Sequence, residues 1–497
     1  MKNGLALINR TPPEILTLVP DFWDEHYRDK DVITLTHVCQ VWRKIFISRS
    51  SLWTDFGDCL DVDKTRVYLE RSRTSPITLF LIRGDVLSPQ DPLLQIIPRA
   101  VGRLESLFVG AGPGSLQDIT AHLSHPAPLL RHLSILSDNY RSEPLHNALL
   151  PATLFNGVLS SLHTLHLQAV RTGLPWRNMV NLTSFTLDLI PPGEVSITQI
   201  LDFFESAPRL REVQLKFVPL ASCGQNGRLV SLARLKYLIH LANQPSPLLF
   251  EHLLIPVGAE LQIRLHSSHP RIEDSLPRSL DNLRNLPNFT RLHLNLYECD
   301  PHIEFTGPNG KLCLKSVAFF IDNTTDLMLG FLARFDTSTA KQLVITGSDP
   351  LSEELPYQAL VPMQNLHALT ISRCKNLHRF IRALDPDTNS SNALTCPRLE
   401  ELVLCIHRKD GFDVESVARM AAARTSRGAK LQSVRIVSLG RGDPIPVDVS
   451  ELSKHVSHVE HGCKGVDEDD DDSDDSDDND DSDDEDEDDS DNGDEEY

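Results

Sequence analysis

"LHTLHL", residues 162–167, is the stretch whose spacing decides the fold. Leu165 and Leu167 stand two apart, so on an extended chain both point to one side of a short strand. Leu162, three residues earlier, can turn into the same interior from the preceding loop. A single unit of this kind has nothing to bury its apolar side against. The sequence meets that need by repetition.

The pattern L-x-x-L-x-L, with Phe, Val, Ile or Ala as substitutes, begins at residues 104, 130, 162, 182, 210, 250, 289, 314, 340, 366, 399 and 431. Those twelve units, from "LESLFV" to "LQSVRI" and including "FEHLLI" (250) and "LKSVAF" (314), are spaced 20 to 40 residues apart. Helical runs fall between them. "SITQILDFFESAPRL" (196–210) carries Ile197, Ile200, Leu201, Phe203 and Phe204 before the breaker Pro208. "TTDLMLGFLARF" (324–335) and "DVESVARMAAARTSRGAKL" (413–431) occupy equivalent places. Strand, loop, helix and loop in repetition predict an α/β fold, a curved solenoid of parallel strands and helices.

The pattern resembles a leucine-rich-repeat domain over roughly residues 77–460. The resemblance implies an irregular solenoid with parallel strands on its concave face and helices on its convex face. The family's Asn or Cys, three residues beyond the last Leu, is matched by Cys374 in "LHALTISRC". Asp138, Val170, Ile190, Tyr297 and His407 hold that place elsewhere, so no regular asparagine ladder is expected. Concave-face positions lie between the last two apolar residues of each unit. They include Phe108, His166, Gln214, His293, Ala318, Val344, Val403 and Arg435, the candidate substrate-binding residues. This column is polar at one end and more apolar from Ala318 to Val403. It holds no unbroken basic stripe, which argues against nucleic acid and for a protein partner. For any single position the plainer reading is a solvated strand face.

A different texture precedes the repeats. "INRTPPEILTLVPDFW" (8–23) has a proline pair suited to a first helical turn, with Ile15, Leu16 and Val19 on one face and Pro20 as a stop. "DVITLTHVCQVWRKIFISRSSLW" (31–53) predicts a helix from Asp31 to about Val38 presenting Val32, Leu35 and Val38. A second helix carries Val41, Trp42, Ile45 and Phe46, and "SSLW" closes the unit. About fifty residues with this many apolar faces need a cover, either the repeats behind them or another protein. Residues 8–56 resemble the F-box, with L-x-x-V-C-x-x-W-R before L-W as the most distinctive part and Thr11 where the family has Leu. The resemblance implies docking to a Skp-type adaptor and, through it, a cullin-based ubiquitin ligase. Pro12, Pro13, Ile15 and Leu16 form the first adaptor-facing segment it implies, and Val32, Leu35, Val38 and Trp42 the second. The plainer reading is a helical cap on the first repeat, and the two roles are compatible. The expected domains are an F-box-like unit (8–56), a linking helix (57–76), the solenoid (77–463) and an acidic tail (464–497).

The formal charge of −22 is an effect of that tail: residues 467–497 hold 23 acids and no Lys or Arg. The other 47 acids face 48 bases, so the body is nearly neutral. The tail has no core to build and repels itself, which predicts disorder and an attraction for basic proteins. Ser473, Ser476, Ser482 and Ser490 sit where an acid-directed kinase would act. Nine scattered cysteines without C-x-x-C spacing predict reduced thiols in cytosol or nucleus. The opening residues read against a secretory signal, and no apolar run reaches the ~18 residues of a membrane span.

"HVSHVEHGC" (455–463) gathers three histidines and a cysteine, but its expected place as the last strand or cap favours a structural role over metal. No phosphate loop, nucleophile elbow or catalytic constellation stands out, so neither an enzyme nor a cofactor or metal is expected. The leading function is a substrate receptor. The alternative is a non-ligase scaffold or chaperone for basic proteins.

Overall fold

Strands do form at most of the repeat positions, and they join edge to edge. The computed structural model describes residues 11–464 apart from 17, 20–27, 57–61, 84–91, 138–147, 174–177, 222–226, 245, 267–274, 287, 298–300, 317–328, 331, 348–353, 389–393, 408–411 and 440–446. The acidic tail and Ala318 lie outside the described residues, as does half of the run 324–335.

Seventeen described strands make one mixed α/β sheet. The first nine are β1 (Asp55–Phe56), β2 (Ile77–Arg83), β3 (Leu104–Ala111), β4 (His132–Ser137), β5 (Thr164–Gln168), β6 (Ser184–Asp188), β7 (Glu212–Lys216), β8 (Tyr237–Ala242) and β9 (Glu260–Leu265). Then come β10 (Arg291–Asn295), β11 (His302–Gly307), β12 (Gly310–Ser316) and β13 (Gln342–Thr346). Finally come β14 (Ala368–Ser372), β15 (Glu401–His407), β16 (Ser433–Leu439) and β17 (His458–Lys464). Neighbours are parallel and in chain order except at the middle. There β9 pairs with β12, β12 with β11 and β11 with β10 before β13 follows, and β11 runs antiparallel to both its neighbours.

Burial alternates along nearly every strand. Leu165, Leu167, Leu187, Leu215, Leu343 and Leu369 are buried, while the residues between them are half-open. One face of the sheet is therefore a core and the other is free. Burying each leucine contributes about 1.5–3 kcal/mol, and one unit cannot collect that alone. The helix Ile197–Ser206 covers part of the core face with Ile197, Ile200, Leu201, Phe203 and Phe204. It begins with a capping box in which Ser196 and Gln199 each satisfy the other's backbone N–H.

Each strand needs a corner to return to the core. Ala169, Leu189, Phe217 and Arg373, each just past its strand, adopt φ of 50–54°. A left-handed non-glycine costs about 1–3 kcal/mol. The next residue, Val170, Ile190, Val218 or Cys374, is buried, and burial of that size offsets the strain. An apolar plug thus stands three residues beyond the last inward strand residue at each of these corners.

Two expected units are corrected. "FEHLLI" does not join the main sheet: Leu253–Leu254 pairs only with Val230–Ser231. Residues 317–319 of "LKSVAF" lie outside the described residues, and Leu314, expected in the loop before its strand, instead stands within the strand Gly310–Ser316, paired inward with Leu312 and with Cys313 between them. In their stead β8, β9 and the hairpin β11–β12 fill the sheet. The turn of that hairpin demands Gly310, whose φ is 135° and whose absent Cβ would lie 2.3 Å from the Ala259 carbonyl oxygen.

The N-terminal helices are α1 (Pro13–Leu16), α2 (Arg28–Val38), α3 (Gln40–Ser48) and α4 (Val62–Arg71), with a 3₁₀ turn at Ser50–Trp53. Trp53 ties them to the sheet. Its indole N–H donates to the Phe46 carbonyl at 2.9 Å, Tyr68 meets it edge-on at 4.9 Å, and the Arg71 guanidinium lies 4.3 Å from its ring. β1 follows directly and pairs with β2, so helices and repeats share one core.

Candidate binding surfaces

The register of the sheet lines up its free face. Across successive pairings the column reads Phe80, Phe108, Ser134, His166, Thr186, Gln214, Ile239 and Gln262. It continues as Cys313, Glu304, His293, Val344, Thr370, Val403, Arg435 and Glu460. The structure thus brings Phe108, His166, Gln214, His293, Val344, Val403 and Arg435 into a single row. Arg435 is exposed and the rest are half-buried.

The row changes character along its length. Phe80 and Phe108 stack with ring centroids 4.6 Å apart, beside exposed Ile82. Ser134 and His166 Nδ1 lie 3.3 Å apart, and burial lowers the His166 pKa. Nearby Asp188 is pushed up by burial, against the pull of Lys216. At the reversed strands the row becomes a charge network. Lys311 Nζ lies 2.9 Å from Glu304 and 3.9 Å from Glu260, while Gln262 links Glu260 to Arg264. Burial alone would raise Glu304; the Lys311 ammonium overrides it and holds the carboxyl below its usual value. The Cys313 thiol, by contrast, is pushed up to about 11, chiefly by burial and then by Glu304. His293, registered to Glu304 from the other side, is lowered by burial and by His302, and its Nε2 lies 3.0 Å from Thr346 Oγ1. At the far end Arg435 donates to Glu460 at 2.6 Å.

Sequence reading missed the middle of this row. Gln262, Cys313 and Glu304 stand on "ELQIRL", "KLCLKS" and "HIEFTG", whose alternation is itself a strand signal, and Ile239 on "YLIHLA", where His240 takes an inward place.

The second surface is on the N-terminal helices, where the expected adaptor residues divide. Leu16, Val32, Leu35 and Trp42 are buried within this chain and hold the helices together, Trp42 meeting Phe46 at 5.6 Å. Pro12 and Pro13 are exposed. Ile15 (52 %), Leu18 (45 %), Val38 (47 %) and Val41 (57 %) are open to solvent. Val38 and Val41 flank Cys39 at the join of α2 and α3. The buried Trp42 Nε1–H has no acceptor among the described residues, an omission worth about 1–3 kcal/mol.

Among the described residues no three His, Cys, Asp or Glu side chains are placed to hold a metal ion. The candidates at the C-terminal strand are separated by its pleat: His458 and His461 are three apart on β17 and so face opposite sides, and His458 lies 2.9 Å from Glu460. A small cleft beside the helix Val414–Ser426 is lined by Lys375, His378, Phe412 and Asp413. Its carboxylate is engaged in capping, accepting from Glu415 N–H at 3.0 Å and from the Ser416 hydroxyl. No described helix is long and apolar enough to cross a membrane. No protein-family model matches the chain, and no curated protein does either.

Proposed function

We propose that this chain is the substrate-recognition subunit of a cullin-based ubiquitin ligase, an F-box unit joined to a leucine-rich-repeat solenoid. In this reading the free face of the sheet is the concave side of the solenoid. A protein substrate meets it there, while the N-terminal helices dock a Skp-type adaptor. The chain performs no chemistry and acts by positioning.

The observation that carries the reading is the exposure of Ile15, Leu18, Val38 and Val41 on or beside α1 to α3, where Leu16, Val32, Leu35, Trp42 and Phe46 are buried and Ile33, Ile45 and Ile47 half-buried. Surface apolar residues scattered singly are ordinary, but here four fall within the first 41 residues. Leu16, Val32, Leu35 and Trp42 become the support of the adaptor surface, and Pro12, Pro13, Ile15, Leu18, Val38 and Val41 its outer side. The register favours the solenoid: one residue per strand, in unbroken succession, is what stacked repeats present.

Co-expression of the full chain with a Skp-type adaptor tests the proposal. Capture is expected for the parent and lost for Val38→Glu with Val41→Glu, while both proteins melt at the same temperature. An adaptor that ignores the parent chain, or that binds the double variant equally, sinks it. The non-ligase reading, a scaffold or chaperone for basic proteins, rests on the 23 acids of residues 467–497. It is distinguished by salt-sensitive capture that survives that double substitution.

A further inference from the structure

Between α4 and β2 the chain reads "RSRTSP" (71–76), a turn with two arginines, three hydroxyl side chains and a proline. The structure treats the hydroxyls differently. Ser72 is buried, and its Oγ donates to the Leu69 carbonyl at 3.1 Å. Ser75 Oγ lies 2.8 Å from the Oγ of Ser50, on the 3₁₀ turn of the N-terminal helices. Thr74, between them, is exposed, and its hydroxyl has no hydrogen-bond partner among the described residues.

Arg71 stands three residues before Thr74, and Arg73 directly before it. Arginine at the third place before a hydroxyl is the charge pattern that arginine-directed kinases select. The same spacing puts an arginine ahead of Ser106, Ser134, Ser231, Thr337 and Ser438. Ser106, Ser134, Thr337 and Ser438 are buried, and Ser231 is held in a short strand against Leu254. Among the described residues only Thr74 joins this spacing to an exposed hydroxyl on a turn.

A receptor for the phosphate is already in place. Arg103 closes the 3₁₀ turn Val101–Arg103 before β3 and reaches back across the segment 72–75. Its Nη1 donates to Ser72 Oγ at 3.3 Å and to the Arg73 carbonyl, and lies 3.5 Å from the Ser75 carbonyl. Thr74 is in the middle of that span, with exposed Arg73 beside it. Exposed Glu70 and the negative carbonyl end of α4 act in the opposite sense. A phosphate brings three acceptor oxygens, and charge-assisted bonds from two guanidiniums outweigh one carboxylate and a partial charge. We propose that Thr74 is a phosphorylation site of an arginine-directed kinase, and that Arg73 and Arg103 hold its phosphate at the joint between the N-terminal helices and the repeats. The γ-phosphoryl group of ATP passes to Thr74 Oγ, its bond to ADP breaks, and the hydroxyl proton leaves to the kinase's carboxylate base. The inference is independent of adaptor docking and of the substrate face.

The test treats the full chain with magnesium, ATP and the catalytic domain of an arginine-directed kinase chosen for modifying the peptide of residues 68–79. Mass spectrometry is expected to place a phosphate on Thr74, absent from Thr74→Ala. In ³¹P NMR the phosphate of the peptide should titrate near ~6 and that of the folded chain about one pH unit lower. Arg103→Gln should return the midpoint most of the way to the peptide's value, and Arg103→Lys should keep part of the shift. Arg73→Gln, on the surface, should recover part of it even where Arg103→Gln does not fold. A chain left unmodified under conditions that fully modify the peptide would overturn the site, as would phosphate found only on Ser72, Ser75 or Ser231. A midpoint equal to the peptide's would overturn the arginine clamp.

Discussion

Replacing His240 with leucine should stabilise the sheet and remove a pH dependence that the parent carries. His240 occupies an inward position on β8, registered between Leu215 and Ile263 on the adjoining strands. It is fully buried, meets Phe250 at 5.7 Å, and neither ring nitrogen has a hydrogen-bond partner among the described residues. Burial lowers its pKa to about 4, against ~6.5 for an exposed histidine. The unfolded chain therefore takes up a proton more readily than the folded one. Stability from this residue is complete above the unfolded value and is lost as pH falls through the window between the two. Linkage puts that loss at about 2 kcal/mol between pH 7.5 and pH 5. At neutral pH the unbonded nitrogens still cost about 1–3 kcal/mol, which leucine would not incur. Urea unfolding of parent and His240→Leu at the two pH values isolates the residue, because other titrating groups cancel in the comparison. The variant should have the higher midpoint at pH 7.5, with a wider margin at pH 5. Equal margins would refute the pH argument, and a variant weaker at both would show that the imidazole has a partner in the core.

Three further outcomes follow from individual contacts. Gly310→Ala places a methyl against the Ala259 carbonyl at a φ only glycine adopts freely, and should cost about 3 kcal/mol in thermal or urea unfolding. Arg424 is buried and donates to the carbonyls of Thr395 at 2.8 Å and Cys396 at 2.7 Å. Arg424→Met should lose about 3 kcal/mol in urea unfolding, and because it removes the cation that draws the Cys396 thiol down, that thiol, already pushed up to about 12 by burial, should stay inert to alkylation at mild pH in the folded protein. Lys311→Gln removes the cation holding Glu304 down, so that carboxyl should titrate higher by NMR. The parent's benefit from this pair is present above the unfolded glutamate pKa and disappears as pH drops through the lower folded value.

Period-two burial was readable because it depends only on local geometry: Leu165 and Leu167 had to face one way whatever lay beside them. Lateral order was not, because the spacing of leucines along the chain says nothing about which strand becomes a neighbour. β10, β11 and β12 show why. The template L-x-x-L-x-L finds β10 through "FTRLHL" but passes over a hairpin, whose second strand needs no leucine in a preceding loop. The turn "GPNG" (307–310), flanked by alternating "HIEFT" and "KLCLK", carried the missing information. β8 escaped for a different reason, since His240 fills a leucine place and breaks the match that Leu235 and Leu238 begin.

The N-terminal helices mark a second boundary of what periodicity reveals. Val32, Leu35 and Val38 share one stripe of α2, and the stripe alone treats them as equivalent. The structure separates them: Val32 and Leu35 are buried, whereas Val38 stands at the last residue of the helix, where the chain turns at Cys39 and α3 sends Trp42 and Phe46 inward. The apolar residues left open belong to the helix ends and the join, namely Ile15, Leu18, Val38 and Val41. An apolar stripe identifies a face that must be covered. Which end of that face its own chain covers depends on the path of the backbone beyond the helix, a tertiary property that no window on the sequence contains. A partner reading of these helices must therefore be tested at Val38 and Val41, because substitutions at Leu35 or Trp42 would disturb the core and the surface together.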